Sequence, residues 1–228
     1  MAKRTPRHQE VWQAPWSLWL KGEKITTKLG ATIYSLVHNA ESASYWTNKS
    51  GVTTTTFNLV NWQAVGKAML ESKRSRRVFI AKHCSGMCGV GKFMYHWKEW
   101  DHDLCPRCGI SEDSAHMWVC SGFDVVWETA LQNLVTWMHL VDTHPDIIVA
   151  LTQQLNSWKH DRQDSQVPPE NIHQAWSDQQ SIGSRRLFEG WLAQEWSSVQ
   201  QRYYDLIHSR RSGQWWTIEL IKRLWNIT

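Results

Sequence analysis

Apolar side chains recur at helical spacing along most of this chain. Leu29, Ile33 and Leu36 are one example, because residues three and four apart share a face of an α-helix. A short alternating stretch at 16–26 predicts a small hairpin, and the threonine run at 53–56 predicts a linker. Helices are predicted at 27–46, 58–71, 75–83, 92–100, 125–138, 145–155, 180–208 and 215–225. The pattern therefore predicts a mainly α protein.

The middle of the chain carries the pattern C-x2-C-x7-H-x3-C, formed by Cys105, Cys108, His116 and Cys120. Two cysteines separated by two residues fit a tight turn that aims both thiolates at one point, and Gly109 can supply its left-handed residue. His116 and Cys120 are four positions apart and would share one helix face. Three thiolates and one imidazole fill a tetrahedral shell, as structural zinc requires. We predict one structural Zn2+ ion in a central CCHC zinc knuckle, a zinc-finger-like element.

The two remaining cysteines, Cys84 and Cys88, lie in a glycine-rich stretch before this motif. With His83 and His96 they could form a second metal site, although C-x3-C without a second knuckle is a weak pattern. Small buried thiols are the favoured interpretation. The count of five cysteines is odd, which together with the knuckle spacing argues against a disulfide framework and indicates a reducing compartment.

Composition divides the chain into five segments. Residues 1–15 are predicted to be a basic disordered arm, and residues 16–72 to form the N-terminal hairpin and helices. Residues 73–158 form the predicted zinc-binding helical region. The polar, proline-containing stretch 159–170 is typical of a linker. Residues 171–228 are predicted to form tryptophan-rich C-terminal helices.

Tryptophan is unusually frequent, with 17 among 228 residues. Each indole offers a large apolar area and an N–H group that needs a partner. A platform that stacks nucleic-acid bases is one interpretation, with Trp97, Trp100 and Trp118 as candidates near the cysteine motif. Because many tryptophans recur at helical spacing, anchors for core packing are the favoured interpretation for most of them, including Trp118.

The basic residues are clustered, although the net charge of +4 alone would not predict nucleic-acid binding. The run K-R-S-R-R lies just before another lysine, and one arginine lies inside the knuckle. A solvated helix start or a nuclear import signal would also explain the run, and the knuckle arginine could neutralise the cysteine-bound zinc. The predicted nucleic-acid-binding residues are Lys73, Arg74, Arg76, Arg77, Lys82 and Arg107.

No apolar stretch approaches the length of a membrane span, and no hydrophobic signal region follows the basic start. We therefore expect an intracellular protein, nuclear or cytoplasmic, with no membrane partner. Clusters of aspartate and histidine at 101–103 and 139–146 raise the alternative of a hydrolytic enzyme. Neighbouring side chains on a helix or strand point apart, so these clusters do not converge without a special turn. We expect them to cap helices or orient the zinc ligands, and we expect no enzymatic activity.

The order of these motifs resembles the zinc-binding region downstream of reverse transcriptases in non-LTR retroelements. The specific part covers 75–121, where Ser85-Gly86 precedes the cysteine pair and Glu112-Asp113 precedes the histidine. The resemblance implies an accessory region that helps a polymerase hold its RNA template or DNA target. It also implies a reverse transcriptase or another retroelement protein as a partner. The sequence has no Y-x-D-D motif and no spaced carboxylates of a nuclease, so a non-catalytic role is expected.

Two functions are therefore expected to compete. The leading hypothesis is a zinc-stabilised accessory module of a retroelement reverse transcriptase, which binds nucleic acid, RNA or DNA, through its basic residues. The alternative is a structural or protein-interaction scaffold held by zinc, in which the tryptophan-rich helices bind a partner. Salt dependence discriminates between them, because phosphate contacts weaken steeply with salt and apolar docking scarcely does.

Overall fold

The computed structural model describes residues 19–20, 22–24, 27, 29–160 and 168–227, and helices dominate these residues, which confirms the predicted mainly α class. None of the helices in these ranges combines the length and the apolar character that crossing a lipid bilayer requires. The elements are β1 (Trp19–Leu20), β2 (Glu23–Lys24), α1 (Leu29–Ser50), α2 (Thr54–Leu59), α3 (Trp62–Glu71), α4 (Arg74–Cys84), α5 (Gly91–His96), α6 (His116–Val119), α7 (Asp124–Leu140), α8 (Pro145–Lys159), α9 (His173–Ile182), α10 (Gln194–Leu206) and α11 (Gly213–Ile227).

The described residues up to Gly51 form one compact unit. Its hairpin pairs Trp19 with Lys24 in antiparallel register, at the position that the alternating pattern predicted. Helix α1 extends past its predicted end at 46 as far as Ser50. In its last turn, the ammonium of Lys49 donates to the hydroxyl of Tyr45 at 3.1 Å. The predicted basic arm at 1–15 lies outside the described residues.

The described residues from Val52 onward form a second compact unit. Helix α11 lies at its centre, since it packs against α3, α7 and α10. Trp216, Leu220 and Leu224 recur every fourth residue along α11 and are buried, so one stripe of the helix faces the core. Trp196 of α10 is buried as well. Packing is therefore the role of these tryptophans, as the helical spacing predicted.

The prediction of a linker at 53–56 is wrong. Thr53 caps α2, because its hydroxyl accepts a hydrogen bond from an amide of the first helical turn. The helix predicted at 58–71 is also divided, since the chain leaves helical geometry at Val60 and forms an isolated β-bridge there. Asn61 then caps α3 through its side-chain oxygen. Polar caps thus start two short helices where the sequence suggested a linker and one longer helix.

The prediction of one long helix at 180–208 is wrong as well, because two glycines interrupt it. Gly183 and Gly190 have φ angles of 98° and 83°, which glycine adopts without strain and which an α-helix excludes. Between α9 and α10 the chain forms a 3-10 turn at Ser184–Glu189. Leu187 and Phe188 in this turn are fully buried, so the segment crosses the core as an irregular stretch.

The division into units differs from the predicted segments 16–72, 73–158 and 171–228, since residues from all three pack together after Val52. The side-chain amide of Asn61 in the first segment donates to Gln214 in the third at 3.0 Å. Helix α3 thereby belongs to the same core as α11. These contacts join residues far apart in sequence, which composition alone does not reveal.

Candidate metal centre and basic surface

The first two cysteines of the motif lie in a tight loop. An isolated β-bridge between Leu104 and Ser111 closes this loop, and a hydrogen bond of 2.7 Å from the amide of Cys105 spans it. Gly109 has a φ angle of 72°, which confirms the left-handed residue that the knuckle pattern predicted. The loop brings the sulfur atoms of Cys105 and Cys108 to the same point.

Helix α6 positions the other two side chains of the motif. Cys120 directly follows this helix, and its amide donates to the carbonyl of His116 at 2.9 Å, so the pair lies one helical turn apart. Asp113 fixes the start of the turn, because its carboxylate accepts the amides of Ala115 and His116, each at 2.8 Å. These amides, that of His116 foremost, lower the pKa of Asp113 and keep it ionised.

All four ligand atoms of Cys105, Cys108, His116 and Cys120 lie within 4.8 Å of one another. The sulfur atoms of Cys105 and Cys120 are 3.8 Å apart, and the sulfur of Cys108 lies 3.1 Å from Nε2 of His116. Cys105 and Cys120 are buried, while the other two are partly exposed. This group can hold a metal ion, and it is the one such group of His, Cys, Asp and Glu found in the described part of the chain.

The thiols of this group differ in how readily they ionise. Burial raises the pKa of Cys120 to about 11. The backbone amide of Ile110 instead lowers the pKa of Cys108. A thiol must lose its proton before it binds a metal ion. Metal binding here therefore releases protons, and the affinity falls as the pH falls.

A buried lysine supports the group from a distant helix. Lys159 was predicted to start the linker 159–170 but is the last residue of α8, and 161–167 lies outside the described residues. Its side chain is 1 % exposed and pairs with Asp124 at 2.8 Å. Its ammonium also donates to the carbonyl of Cys120 at 3.0 Å. The motif spacing contains no signal for this contact.

Trp118 joins the motif to the core of the second unit. It is 1 % exposed, which favours the packing role predicted for it over base stacking. Its ring stacks on Phe188 with 4.4 Å between the ring centroids. The ring of His83 in α4 meets the same indole edge-on, with 5.2 Å between the ring centroids. The motif helix, α4 and the 3-10 turn therefore meet at one indole.

The second metal site considered at Cys84 and Cys88, with His83 and His96, does not form a ligand cluster among the described residues. The thiol of Cys84 donates to the carbonyl of Glu189 at 3.4 Å. Burial raises the pKa of Cys84 to about 12 and also raises the pKa of Cys88. His96 is exposed. Protonated thiols that fill space are the arrangement this geometry favours.

Five of the six predicted nucleic-acid-binding residues lie on α4 or cap it. Lys73, Arg74 and Lys82 are exposed, whereas Arg76 and Arg77 are partly buried. The guanidinium of Arg76 donates to the side chain of Asn226 in α11 at 3.2 Å and lies 5.2 Å from the ring centre of Phe79. Two of these arginines thus pack against the protein and leave three side chains free on the surface.

The sixth residue, Arg107, is exposed on the cysteine loop, 4.9 Å from the ring centre of Phe123. In the described part of the chain, none of the six cations forms an ion pair with a carboxylate. Elsewhere in this unit such pairs are common, as between Arg211 and Asp142 at 2.7 Å. The six positive charges are therefore not neutralised within the described structure.

The aspartate and histidine clusters hold loops and helix ends. His144 caps α8, because its Nδ1 accepts the amide of Asp146 at 3.1 Å. In the other cluster, the carboxylate of Asp103 accepts the hydroxyl of Ser111 at 2.6 Å and so braces the cysteine loop. His102 accepts the amide of Leu104 at 3.3 Å. These contacts are of the capping and supporting kind that the sequence predicted.

No family model matches the chain, and no match is found among curated proteins or solved structures. The resemblance to the region downstream of retroelement reverse transcriptases thus stays a prediction from the motifs.

Proposed function

We propose that Cys105, Cys108, His116 and Cys120 hold one Zn2+ ion in a structural role. Tetrahedral zinc with Zn–S bonds of about 2.3 Å sets two sulfur atoms about 3.8 Å apart. The sulfur atoms of Cys105 and Cys120 have this separation, 3.8 Å. Thiolates and imidazole favour zinc over magnesium or calcium, which prefer oxygen ligands. Four protein ligands leave no position for water or substrate, so the ion would stabilise the fold and not catalyse a reaction.

The proposed ion would connect the cysteine loop to α6. Without it, the loop is held by a few backbone hydrogen bonds and by the contact between Asp103 and Ser111. Trp118, between two residues of the motif, is buried in the core, and the ammonium of Lys159 donates to the carbonyl of Cys120. The zinc site would therefore stabilise the surface next to α4, where the unpaired cations lie.

We propose further that the module binds nucleic acid through the exposed basic side of α4. The observation that carries this proposal is a concentration of positive charge at the positive end of a helix. Lys73 makes no side-chain capping hydrogen bond, and the first turn of α4 has no acidic residue. A helix N-terminus already carries partial positive charge, so Lys73 and Arg74 add an unfavourable repulsion. A phosphate backbone would relieve it.

The exposed cations lie at the two ends of α4, Lys73 and Arg74 at its start and Lys82 in its last turn. Arg74 and Lys82 are two i,i+4 steps apart, which places them about 12 Å apart along the helix axis and about 80° apart around it. Val78 lies between them and is exposed too, so this face is open to a ligand. Arg76 and Arg77 would add to the electric field rather than contact phosphates, since parts of both guanidinium groups are buried.

The resemblance to the retroelement region makes template RNA or target DNA the expected ligand, held for a reverse transcriptase partner in a non-catalytic role. The alternative, a scaffold whose tryptophan-rich helices bind a partner, has less support. Trp196, Trp216 and Trp225 are at most 1 % exposed and already fill this protein's own core. We therefore favour the nucleic-acid function.

The test is binding of zinc-loaded protein to single-stranded RNA and to duplex DNA, followed by fluorescence anisotropy over a range of salt concentrations. A triple variant, Lys73→Ala, Arg74→Ala and Lys82→Ala, should bind more weakly. It should also make the negative slope of log K against log salt less steep by about 2 to 3. Each lost phosphate contact removes about 0.7 to 0.9 from the size of this slope.

A matched control variant, Lys67→Ala, Arg202→Ala and Arg211→Ala, removes three positive charges away from α4. Each of these three cations pairs with a carboxylate. It changes the net charge equally and should keep nearly the wild-type slope. Equal losses in both triple variants would show that net charge, and not α4, drives binding. A protein with one zinc ion and no affinity at low salt would refute the nucleic-acid function and leave the scaffold.

A further inference from the structure

The segment 95–102 keeps its aromatic rings in contact with water, unlike most of the second unit. Eight tryptophans of that unit are buried, so burial is the rule for indoles here. Tyr95 is nevertheless 56 % exposed and Trp97 is 42 % exposed. His96 and His102 are exposed too. Large exposed rings that gather within one short segment indicate a binding surface.

Several of these rings line an open groove of about 960 Å3 next to the cysteine loop. Tyr95, Trp100 and His102 belong to its lining, as does Pro106 of the cysteine loop. The ring centres of Trp100 and His102 are 6.0 Å apart. Trp100 also borders a smaller cavity, which Trp118 lines as well.

The end of α5 presents a lysine to this groove at an energetic cost. Lys98 has a φ angle of 61°, and the amide of Glu99 donates to the carbonyl of Met94 at 3.0 Å. This is a helix ending in which glycine is the usual residue. A residue with a Cβ atom in this conformation costs about 1 kcal/mol. Lys98 is exposed and forms no ion pair with the described residues.

The groove favours a base over a free phosphate. Glu99 and Asp101 are exposed beside Lys98, so their carboxylates cancel the positive potential that would attract an anion. Carboxylates accept hydrogen bonds from the amino groups of bases, and aromatic faces stack on bases of any sequence. In a duplex, each base is stacked and paired. A base that enters this groove must therefore be unpaired.

We propose that this groove binds an unpaired base of single-stranded nucleic acid, stacked on Tyr95 and Trp100, while the cations of α4 hold phosphates. The inference rests on the proposed nucleic-acid function and deepens it, because it selects single strands over duplexes. Lys98 would contact the phosphate next to the bound base. Glu99 and Asp101 would accept hydrogen bonds from its amino groups.

The test compares two single-stranded DNA oligonucleotides of equal length, one with thymine and cytosine bases and one built entirely of abasic sites. Both carry the same phosphate charge, so the phosphate contacts are matched. Zinc-loaded wild-type protein should bind the abasic strand roughly tenfold more weakly, since stacking of one base on an aromatic side chain is worth that order of affinity. Fluorescence anisotropy at constant salt gives both affinities.

Variants locate the effect. Tyr95→Ala should reduce the preference for the strand with bases several-fold and leave affinity for the abasic strand unchanged, whereas Tyr95→Phe should retain the preference. Trp100→Ala should act like Tyr95→Ala, but its ring also borders the inner cavity, so the exposed Tyr95 provides the cleaner measurement. Trp215→Ala is the control, because this indole is 38 % exposed outside the groove. Zinc content and circular dichroism verify each fold.

The outcomes separate the two proposals. Equal wild-type affinity for both strands would overturn the groove and leave phosphate binding through α4 intact. A preference that survives in Tyr95→Ala and disappears in Trp215→Ala would overturn the groove as well. Absence of binding to either strand at low salt would overturn the proposed function and, with it, this inference. A preference that is lost in Tyr95→Ala and kept in Tyr95→Phe and Trp215→Ala would establish the site.

Discussion

The ammonium of Lys159 lies 3.0 Å from the carbonyl oxygen of Cys120, across a sequence separation of 39 residues. This contact joins the end of α8 to a cysteine of the candidate metal centre. The side chain of Lys159 is 1 % exposed, and a buried ammonium is stable only when it is well paired. Asp124 and the Cys120 carbonyl provide that pairing. Three thiolates around a divalent ion sum to one negative charge, which the ammonium would also offset.

Lys159→Met should therefore weaken both the fold and the metal centre. Methionine keeps most of the apolar stem and removes the charge. We expect the free energy of unfolding to fall by about 2 kcal/mol, as for the loss of a buried hydrogen bond to a charged group. We expect zinc affinity to fall about tenfold, as when support of a ligand is removed. Urea unfolding and competition with a chromophoric chelator measure the two effects.

Lys67→Met is the control for this prediction, because Lys67 forms an exposed pair with Glu71 at 3.5 Å. An exposed pair contributes little, so the free energy of unfolding should stay close to that of the wild type. Zinc affinity should not change. If Lys159→Met behaved like Lys67→Met, the buried contact would have no role in supporting the centre.

Removal of the proposed zinc should unfold at least the middle of the protein. We expect Cys108→Ser to bind no zinc and to lose thermal stability, because metal affinity at such a site is coupled to folding. Treatment of the wild type with a strong chelator should have the same effect, and added zinc should reverse it. Metal analysis and circular dichroism during heating provide the measurements.

Cys88→Ala tests the specificity of that result. Cys88 is buried outside the ligand group, so this variant should still bind one zinc ion per chain. Loss of zinc in Cys88→Ala would mean that Cys88 takes part in holding the ion. Full zinc content in Cys108→Ser would instead refute the proposed ligand set.

The convergence of the four side chains of the motif was predictable because its geometry is local. The turn between Cys105 and Cys108 and the helical step from His116 to Cys120 are both encoded by spacing. The contact of Lys159 with Cys120 depends on how two distant helices pack, so no local pattern contains it. The break near Gly190 was missed for a different reason. The apolar residues before and after the break still fit a helical period. The buried residues of the irregular segment between them are apolar too, so they do not interrupt that periodic pattern.

His83 should make stability depend on pH. It is 5 % exposed, and neither ring nitrogen has a hydrogen-bond partner among the described residues. Burial, aided by the charges of Arg185 and Arg76, lowers the pKa of His83 to about 4. The unfolded chain has the ordinary value of about 6.5. Stability is thus retained above the unfolded value and is lost as the pH falls toward 4, since only the unfolded state takes up the proton.

His83→Leu should remove this loss. Between pH 7 and pH 4, the unfolding free energy of the wild type should fall by about 3 kcal/mol more than that of the variant. Protonation of the cysteine and histidine ligands affects both proteins equally and cancels in the difference. Urea unfolding across this pH range measures the difference. The exposed His173→Gln is the control and should keep the wild-type dependence. Parallel curves for His83→Leu and wild type would contradict the prediction.

Gly213 marks a close crossing of α10 and α11. A Cβ atom at this position would overlap the carbonyl oxygen of Ser197 and lie 2.9 Å from the amide nitrogen of Gln201. Both are backbone atoms of α10, so the overlap can be relieved only by moving the helix. We expect Gly213→Ala to lower the free energy of unfolding by about 2 to 3 kcal/mol through overpacking. Urea unfolding of the zinc-loaded variant measures it.

The same substitution in an open helix should have the opposite sign. Gly66 lies in α3, and among the described residues no atom other than its chain neighbours and its own helix backbone lies within 4 Å of a Cβ atom built on it. Alanine there restricts the unfolded chain and suits a helix, so Gly66→Ala should raise the free energy of unfolding by about 0.5 to 1 kcal/mol. Opposite signs for one chemical change would locate the effect in the helix crossing. If Gly213→Ala also stabilised the protein, α10 and α11 would have to be farther apart at Gly213 than the structure places them.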